Sequence, residues 1–433
     1  MAFIEYGRNL SKIPVIESYG TLRLTVIANV NADFINIFSK NYYLIMYSLT
    51  MGGNLVIKFG KMVDTHGVVE NKFLVIKNGI IHGITDSNPV AENEIDASQL
   101  ILLPGFVDIH THGYFGVDSM NSSVSDILEW SRKLTSHGVT SFIPTAVSES
   151  HENIIKFLNK IRGIMQMENT GARVLGARLE GPYISPYKRG AHNPEYVRDI
   201  NMEEIRELAY KYNDVLRIID MAPELGLFQD AFNLLQGQGI IVSAGHSNAD
   251  YEEARKALAG GVSLITHFYN AMTPLNHRNP GMIGAGFLSN NTTLELIGDL
   301  HHVSKPAIEI MVNLKRMDNI VLITDSISIG GTEIKNGQLG GLNIVVRDGV
   351  AWIEGTETIA GSILTMDKAL RNLIDMGIPL EKAILSMGYV QSKLLGLGNR
   401  GNILPGYKAD LCVVDDEYNV KYTIINGNIV YSS

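Results

Sequence analysis

Eight apolar runs repeat along the middle of the chain, and a polar loop and a helix-like stretch follow most of them. They lie at 104–112, 139–147, 174–182, 215–224, 240–249, 262–272, 294–303 and 320–328. Intervening stretches such as SVSDILEWSRKLTSHG end at Gly, as helices often do. Nearly continuous apolar strands alternating with helices are typical of a parallel sheet covered by helices. Eight such units predict an α/β fold, a (β/α)8 TIM barrel. An open doubly wound sheet is the competing layout, but no Gly-rich phosphate-binding fingerprint follows the first run.

The two ends of the chain have a different, strand-rich pattern. Alternating segments with Gly and Asn-Gly turn signals occupy residues 51–103 and 399–433. We expect these two segments to pair into one small β-sandwich domain beside a barrel of residues 104–398. Residues 1–50 fit the pattern poorly and are interpreted as an N-terminal extension, with Met51 the more natural start. The alternative is that the extension packs on the core as an extra element.

Composition narrows the classes of partner. The net charge of −9 provides no basic stripe for nucleic acid, although a small anionic substrate needs only one or two local cations. The single cysteine, Cys412, cannot build a disulfide framework or a cysteine-based zinc site, and such usage suits the cytoplasm. The run YYLIMYSLTM is too short to span a bilayer, so no membrane partner is expected.

Metal-binding residue types recur at the ends of the predicted strands, where a barrel carries its catalytic groups. They are His110, His112, Glu180, His246, His267 and Asp325. A lone histidine or carboxylate at such a place is more often structural, but the barrel would bring all six together. His110 and His112 are two apart on a strand and therefore point to the same face. The set predicts a site for one or two divalent ions, and imidazole with carboxylate favours zinc or iron over magnesium or calcium.

The predicted reaction is hydrolysis of an amide or a related acyl or imine bond. A divalent ion lowers the pKa of a bound water and polarises a carbonyl group. Asp325 would take the proton from the water and return it to the leaving group. The same carboxylate is also counted among the possible metal ligands.

Several motifs resemble one known family. PGFVDIHTHG is similar to the first-strand signature of the amidohydrolase superfamily. RLEGPYISPYKRGAHNP, SAGHSNA, THFYNAMTPLNHRNPG, DLHHV, LITDSIS and AGSILTMDKALRNL resemble, in this order, the N-acetylglucosamine-6-phosphate deacetylase family. They cover roughly residues 104–375, and GNILPGYKADLCVVD resembles the superfamily's return strand into its β-sandwich. Each motif is weak alone, whereas the full set is specific.

The resemblance implies a role for each matching residue. Glu180, His246 and His267 match the ligands of the main metal, and Asp325 matches the general base. His302 matches a substrate-contacting histidine thought to polarise the amide carbonyl, while the adjacent His301 would point away if the strand continued there. Three further matches imply substrate contacts: His192 with the sugar, and Asn270 and Ala271 near the phosphate.

The resemblance also implies a homodimer. Arg278 matches a phosphate-binding arginine that reaches in from the neighbouring subunit, and an arginine suits phosphate because it donates two parallel hydrogen bonds. Because His110 and His112 are both present, a second ion is possible, with Glu180 as the bridge. The fourth run has no lysine, which argues against the types bridged by a carboxylated lysine.

The implied activity is metal-dependent deacetylation of N-acetylglucosamine 6-phosphate to glucosamine 6-phosphate and acetate, in amino-sugar catabolism. Three alternatives remain open. The sugar could be N-acetylgalactosamine 6-phosphate, or the enzyme could be another amidohydrolase acting on a small N-acyl substrate. The chain could also be a catalytically inactive scaffold, although no expected ligand or base is missing from its sequence.

Overall fold

The computed structural model describes residues 53–168 and 170–433. The predicted N-terminal extension, residues 1–50, lies outside the described residues, as does Met51.

The apolar runs form a nearly closed parallel barrel, which confirms the predicted fold class. Its eight strands are β1 (Phe106–Thr111), β2 (Val139–Ala146), β3 (Ala177–Glu180), β4 (Leu216–Met221), β5 (Ile241–Ala244), β6 (Leu264–Ile265), β7 (Thr293–Ile297) and β8 (Ile320–Ile323). Consecutive strands pair in parallel from β1 to β8. Backbone hydrogen bonds beyond the strand ends join β8 to β1: the Asp325 N–H donates to the His110 carbonyl at 2.9 Å, and the His112 N–H donates to the Ser326 carbonyl at 2.7 Å. The last strand of the ring thus brings Asp325 beside the first-strand histidines.

One α-helix follows each barrel strand. The helices are α1 (Val124–Leu134), α2 (His151–Met165), α3 (Met202–Lys211), α4 (Phe228–Gly237), α5 (Tyr251–Ala259), α6 (Gly281–Leu288), α7 (Lys305–Leu314) and α8 (Met366–Asp375). Helix α1 shows how the sequence sets their limits. Ser123 and Asp126 form a reciprocal capping box at its start, and Ile127, Trp130 and Leu134 recur on its buried face.

Shorter elements complete the barrel. Two short α-helices span Leu380–Ala383 and Tyr389–Leu394, and 3-10 turns span Thr135–His137, Pro186–Lys188, Met317–Asn319 and Ile384–Met387. The short strands Gly113–Tyr114 and Val117–Asp118 pair with each other, and Arg173–Val174 pairs with β2. No helix in the described part of the chain is both long and apolar enough to cross a membrane.

Strands from both ends of the chain build a separate sheet domain. In spatial order they are Asn428–Ser432, Val420–Ile425, Leu411–Val414, Ala91–Pro104, Gly53–Asp64, Gly67–Lys77 and Ile80–Thr85. Hydrogen bonds connect all seven into one sheet, in which the C-terminal strand Leu411–Val414 pairs antiparallel with Ala91–Pro104. The expected pairing of the two chain ends is therefore present.

Alternate residues of these strands enter two different cores. Leu102 and Leu411 belong to the apolar cluster of the sheet domain, whereas their neighbours Leu103 and Cys412 belong to the barrel cluster. This division follows from the two-residue period of a strand, since successive side chains point to opposite faces. The sheet consequently has its own core and also packs on the barrel.

The strand Ala91–Pro104 runs into β1 through one glycine. A β-carbon at Gly105 would lie 2.3 Å from the Thr140 side chain, so a larger residue cannot fit without displacement. The Gly105 N–H donates to the Asp410 carbonyl at 2.9 Å. Residues of β2 and of the C-terminal segment therefore fix the backbone at the point where the chain enters β1.

A small antiparallel sheet lies between β8 and α8. Its strands are Asn336–Leu339, Leu342–Arg347 and Val350–Ile353, and the second and third form a hairpin. Its buried residues cluster with Val147 from the loop after β2. Leu339 and Val147 also line the cavity described below, so this sheet forms one wall of the barrel mouth.

Candidate metal centre and active site

The six predicted ligand and base residues converge at the carboxyl ends of the barrel strands. All six are buried. His110 lies within β1 and Glu180 is the last residue of β3. His246, His267 and Asp325 each lie two residues beyond the end of β5, β6 and β8, respectively. One face of the barrel therefore carries the whole set.

Three of these residues have a left-handed backbone. The φ angles are 47° at His246, 26° at His267 and 49° at Asp325. Such values are uncommon for residues other than glycine, and strained backbone of this kind clusters at functional sites. Neighbouring segments hold each residue: the His246 carbonyl accepts from the Ser185 N–H at 2.8 Å, and the Asp325 carbonyl accepts from the Ser362 N–H at 2.7 Å. The surrounding fold thus fixes conformations that the local sequence does not favour.

Glu180 links two groups of imidazoles. Its Oε1 lies 3.0 Å from His246 Nε2 and 2.9 Å from His267 Nε2, and these two nitrogens are 2.9 Å apart. Its Oε2 lies 3.2 Å from His112 Nε2. His110 Nε2 is 3.6 Å from Glu180 Oε1. One carboxylate therefore belongs to both candidate ligand groups, which is the arrangement that a bridging ligand requires.

Hydrogen bonds on the opposite ring nitrogens orient three of the histidines. His110 Nδ1 lies 3.2 Å from Glu295 Oε2, His112 Nδ1 lies 3.1 Å from the Thr145 carbonyl, and His246 Nδ1 lies 2.9 Å from the Lys188 carbonyl. The carbonyl oxygens can only accept, so Nδ1 of His112 and of His246 carries the proton. Metal-binding histidines usually have such a partner, which leaves Nε2 free to bind the ion.

The electrostatics of the site favour positive charge. Burial opposes protonation of His110 and His112, but Asp325 and Glu180 outweigh it and raise their pKa values to about 10 and about 9. Burial likewise opposes ionisation of Asp325, yet the two imidazoles lower its pKa to about 2. The carboxylates that attract protons to these rings would attract a cation in their place.

The residues fit a bound divalent metal. His110 Nε2 and Asp325 Oδ1 are buried and make no hydrogen bond within the described residues. Three electron-pair donors also meet within 3.0 Å where Glu180, His246 and His267 converge. Such a cluster is electrostatically unfavourable unless protons or a cation separate the donors, and its composition matches zinc and iron sites.

A cavity of about 370 Å³ opens above these residues. It falls in the size range of small-molecule sites. Its lining includes the predicted substrate contacts His192, Asn270, Ala271 and His302. The structure thus brings these four to the same space as Glu180, which also lines the cavity.

His192 is a buried neutral histidine at this cavity. Burial, reinforced by the nearby His246, lowers its pKa to about 4 despite Glu180. Its Nδ1 accepts from the Ser148 N–H at 3.1 Å, so the proton lies on Nε2, which is 3.3 Å from Glu180 Oε2. His192 therefore presents a fixed N–H donor beside the ligand cluster.

His302 lies beyond the end of β7, because that strand stops at Ile297. Its Nδ1 is 2.6 Å from Asp299 Oδ2. The direction expected for His301 assumed that β7 continues to this residue, and β7 ends before it. His301 is exposed, whereas the His302 side chain is 6% exposed and lines the cavity.

Arg278 is the one predicted substrate contact that lies away from the cavity. It is exposed in the loop before α6 and is absent from the cavity lining of its own subunit. Its backbone N–H donates to Asn276 Oδ1 at 3.0 Å.

A buried ion network beneath the site was missed by the sequence reasoning. Arg178 on β3 donates to Asp220 on β4 at 2.9 and 3.1 Å and to Glu295 on β7, and all three side chains are fully buried. Glu295 Oε2 also accepts from the His267 N–H at 3.1 Å and lies 3.2 Å from His110 Nδ1. The available signal was the presence of Arg178, Asp220 and Glu295 within strands that are mostly apolar.

Comparison with known proteins agrees with this geometry. Residues 101–430 match the amidohydrolase family, which is metal-dependent. The chain is 32% identical over 398 residues to N-acetylglucosamine-6-phosphate deacetylase of Bacillus subtilis, covering 88% of this chain and 98% of that one. It is 34% identical over 380 residues to N-acetylgalactosamine-6-phosphate deacetylase of Escherichia coli O157:H7, covering 86% and 98%.

A solved structure is similar throughout. The crystal structure of N-acetylglucosamine-6-phosphate deacetylase from Thermotoga maritima has a TM-score of 0.80 and 35% identity, and it covers 87% of this chain and all of that chain. On its sequence and its fold, the chain belongs to the amidohydrolase family.

Proposed function

We infer that this protein removes the N-acetyl group of N-acetylglucosamine 6-phosphate, giving glucosamine 6-phosphate and acetate. The carrying observation is the convergence of Glu180 Oε1, His246 Nε2 and His267 Nε2 within 3.0 Å of one another, in a cavity that Asp325 also lines. The names of the relatives supply the substrate class.

Glu180, His246 and His267 would hold the principal ion, and His110, His112, Glu180 and Asp325 would hold a second. We propose zinc or iron, because imidazole with carboxylate suits these ions. A bound ion of this kind polarises the amide carbonyl and makes water more acidic. The sharing of Glu180 between both groups supports room for two ions.

Asp325 would act as the base. It would accept a proton from the attacking water as the water oxygen bonds to the acetyl carbon. It would then deliver the proton to the sugar nitrogen as the carbon–nitrogen bond breaks, so that acetate and a free amine leave. A pKa of about 2 keeps the carboxylate ionised, and therefore able to accept, at neutral pH.

His302 would bind the acetyl carbonyl oxygen. Asp299 accepts a hydrogen bond from Nδ1, which leaves Nε2 for the cavity that His302 lines. A hydrogen bond donated from Nε2 would stabilise the oxygen as negative charge develops on it. The aspartate orients the ring for this contact.

The remaining contacts would recognise the phosphorylated sugar. His192 would donate through Nε2–H to a sugar hydroxyl, and Asn270 and Ala271 would contact the phosphate. Because Arg278 lies outside its own subunit's cavity, we propose that it enters the site of the neighbouring subunit in a homodimer. The absence of Arg278 from the lining of its own cavity supports this arrangement.

N-Acetylgalactosamine 6-phosphate is the second candidate substrate. The 34% identity to the Escherichia coli relative of that name, beside 32% to the Bacillus subtilis enzyme, favours it as an alternative. We propose the cytoplasm as the location, since a single cysteine suits a reducing compartment.

Acetate release from both N-acetyl sugars, with and without the 6-phosphate, tests the function. The metal content of the same purified protein should be measured in parallel. We expect bound zinc or iron and the highest kcat/KM on N-acetylglucosamine 6-phosphate. Higher efficiency on the galactosamine compound would reassign the substrate, and no acetate release from any sugar by metal-loaded protein would refute the proposed activity.

A further inference from the structure

We propose that Lys188 is a phosphate-binding residue of the substrate cavity, supplied by the same subunit as the metal ligands. The inference rests on the proposed function, because it assumes that the substrate carries a 6-phosphate. It assigns a specificity-determining role to a residue for which the sequence motifs indicate none.

The backbone of Lys188 is fixed to a ligand-bearing loop. Lys188 ends the 3-10 turn Pro186–Lys188, which begins six residues beyond Glu180. Its N–H donates to the Ser185 carbonyl at 3.0 Å, and the Ser185 N–H donates to the His246 carbonyl. Its own carbonyl accepts from His246 Nδ1 at 2.9 Å. The backbone of Lys188 is therefore fixed in position beside the candidate metal ligands.

Lys188 is a cationic residue in the lining of the cavity. Among the described residues that line it, Lys188 is the only lysine or arginine. The residue is half-buried, and no ion pair or side-chain hydrogen bond joins its ammonium group to another described residue. By contrast, the ammonium of Lys160, at the adjoining larger cavity, donates to the carbonyls of Met120 and Ser122. Lys188 is thus available to a ligand in a way that Lys160 is not.

The charge balance of the cavity calls for such a cation. Two carboxylates, Glu180 and Asp325, line the same cavity. A phosphate carries about 1.5 to 2 negative charges at neutral pH, and within one subunit Arg278 does not reach this space. A lysine meets a phosphate as a point charge, whereas an arginine donates two parallel hydrogen bonds. Lys188 and the partner's arginine would therefore approach the phosphate from two subunits.

Replacement of Lys188 by Met tests the proposal, since Met retains the chain length and removes the charge. The kinetic constants are measured on N-acetylglucosamine 6-phosphate and on N-acetylglucosamine. We expect the ratio of kcat/KM between the two sugars to fall by roughly tenfold or more, which is the scale of one charge-assisted hydrogen bond. The loss should appear mainly in KM for the phosphorylated sugar, because the contact is made in both the ground state and the transition state.

Three comparisons make the result specific. Lys188→Arg should recover most of the ratio because it keeps the charge, and inorganic phosphate should inhibit Lys188→Met more weakly than the wild type. Lys256→Met is the matched control: Lys256 is exposed on α5, away from the cavity, and its replacement should leave the ratio unchanged. Circular dichroism and metal content establish that each variant is folded and loaded. If Lys188→Met does not fold, Lys188→Gln takes its place.

A ratio within twofold of wild type in a folded, metal-loaded variant would overturn the role of Lys188 and leave the proposed deacetylase function intact. Wild-type protein that releases no acetate from the phosphorylated sugar would instead overturn both.

Discussion

Asp325 shows how one residue depends on its surroundings. Its Oδ1 lies 3.1 Å from His112 Nε2 and 3.4 Å from His110 Nε2, in a position that the left-handed backbone and the bond to the Ser362 N–H maintain. The two imidazoles keep its pKa low against burial. Under the proposed mechanism, Asp325 combines proximity to the metal ligands with the capacity to accept a proton.

Replacing Asp325 by Asn should remove proton transfer while leaving the other ligands in place. We expect kcat to fall by at least about 10²-fold, the usual contribution of a general base. The check is kcat together with metal content measured on the same preparation. Near-wild-type turnover with a full complement of metal would exclude Asp325 as the base.

Replacements of the ligand residues by Ala should fall into two classes. We expect loss of Glu180, His246 or His267 to abolish both metal binding and activity, because under the proposed function these side chains would hold the principal ion. Loss of His110 or His112 should have a milder effect, since the second ion could be dispensable. Elemental analysis of the five variants decides the ranking, and equal metal loss in all five would contradict it.

At the residue level, the sequence was sufficient where the two-residue alternation of side chains along a strand decides which face a residue occupies. The spacing of His110 and His112 gives the shared face directly, because side chains alternate along a strand. The positive φ angles of His246 and His267 could not be predicted, since they are imposed by neighbouring loops rather than by local preference. The position of Arg278 could not be derived from one chain either, because its proposed partner group belongs to another subunit.

At the scale of elements, buried ion pairs connect three barrel strands within an apolar core. Arg178 on β3 connects Asp220 on β4 with Glu295 on β7, and Glu295 in turn contacts His110 on β1. Burial raises the pKa of Asp220, whereas Arg178 and His110 offset burial at Glu295 and lower its pKa to about 2. The sequence shows these charges within strands, but their pairing depends on which strands lie opposite each other in the closed ring.

Replacing Arg178 by Met should destabilise the barrel strongly, because two buried carboxylates would lose their cation. We expect the free energy of unfolding to fall by about 3–5 kcal/mol, measured by urea denaturation. Arg255→Met is the control, since Arg255 pairs with Glu252 on the surface of α5 and such exposed pairs contribute little to stability. Similar losses in the two variants would show that the buried network is not a special source of stability.

At the scale of the whole molecule, the two chain ends and the barrel form one described unit. Two strands of the sheet domain, Ala91–Pro104 and Leu411–Val414, contribute side chains from one face to the sheet core and from the other face to the barrel core. The sequence predicted that the ends would meet, because both are strand-rich. It did not reveal the order of the strands, which is set by pairings between residues far apart in the chain.

A truncated protein that begins at Met51 should fold and retain activity. Residues 1–50 contribute none of the proposed site residues, and the described strands begin at Gly53. Thermal melting and acetate release, compared with the full chain, provide the check. Insoluble or inactive truncated protein would show that the extension packs on the core.

Mixing two inactive variants tests the proposed dimer. Arg278→Ala should lower kcat/KM on the phosphorylated sugar by roughly ten- to 150-fold, equivalent to about 1.5–3 kcal/mol, and barely change it on the unphosphorylated sugar. Co-expression with Asp325→Asn should restore activity, because one site of a mixed dimer then has both an intact base and an intact arginine from its partner. Demonstrated mixed dimers without recovery would place Arg278 in its own subunit's site or outside the site.

The pairing of Leu411–Val414 with the strand that leads into β1 has a consequence for biosynthesis. About 300 residues separate the two strands, so a ribosome adding roughly 5–20 residues per second needs on the order of 15–60 s to produce the second after the first. During that interval one edge of Ala91–Pro104 lacks its partner, and unpaired strand edges promote aggregation. The histidine pair on β1 is thus synthesised early, whereas the strand that pairs beside its entry into the barrel is synthesised late.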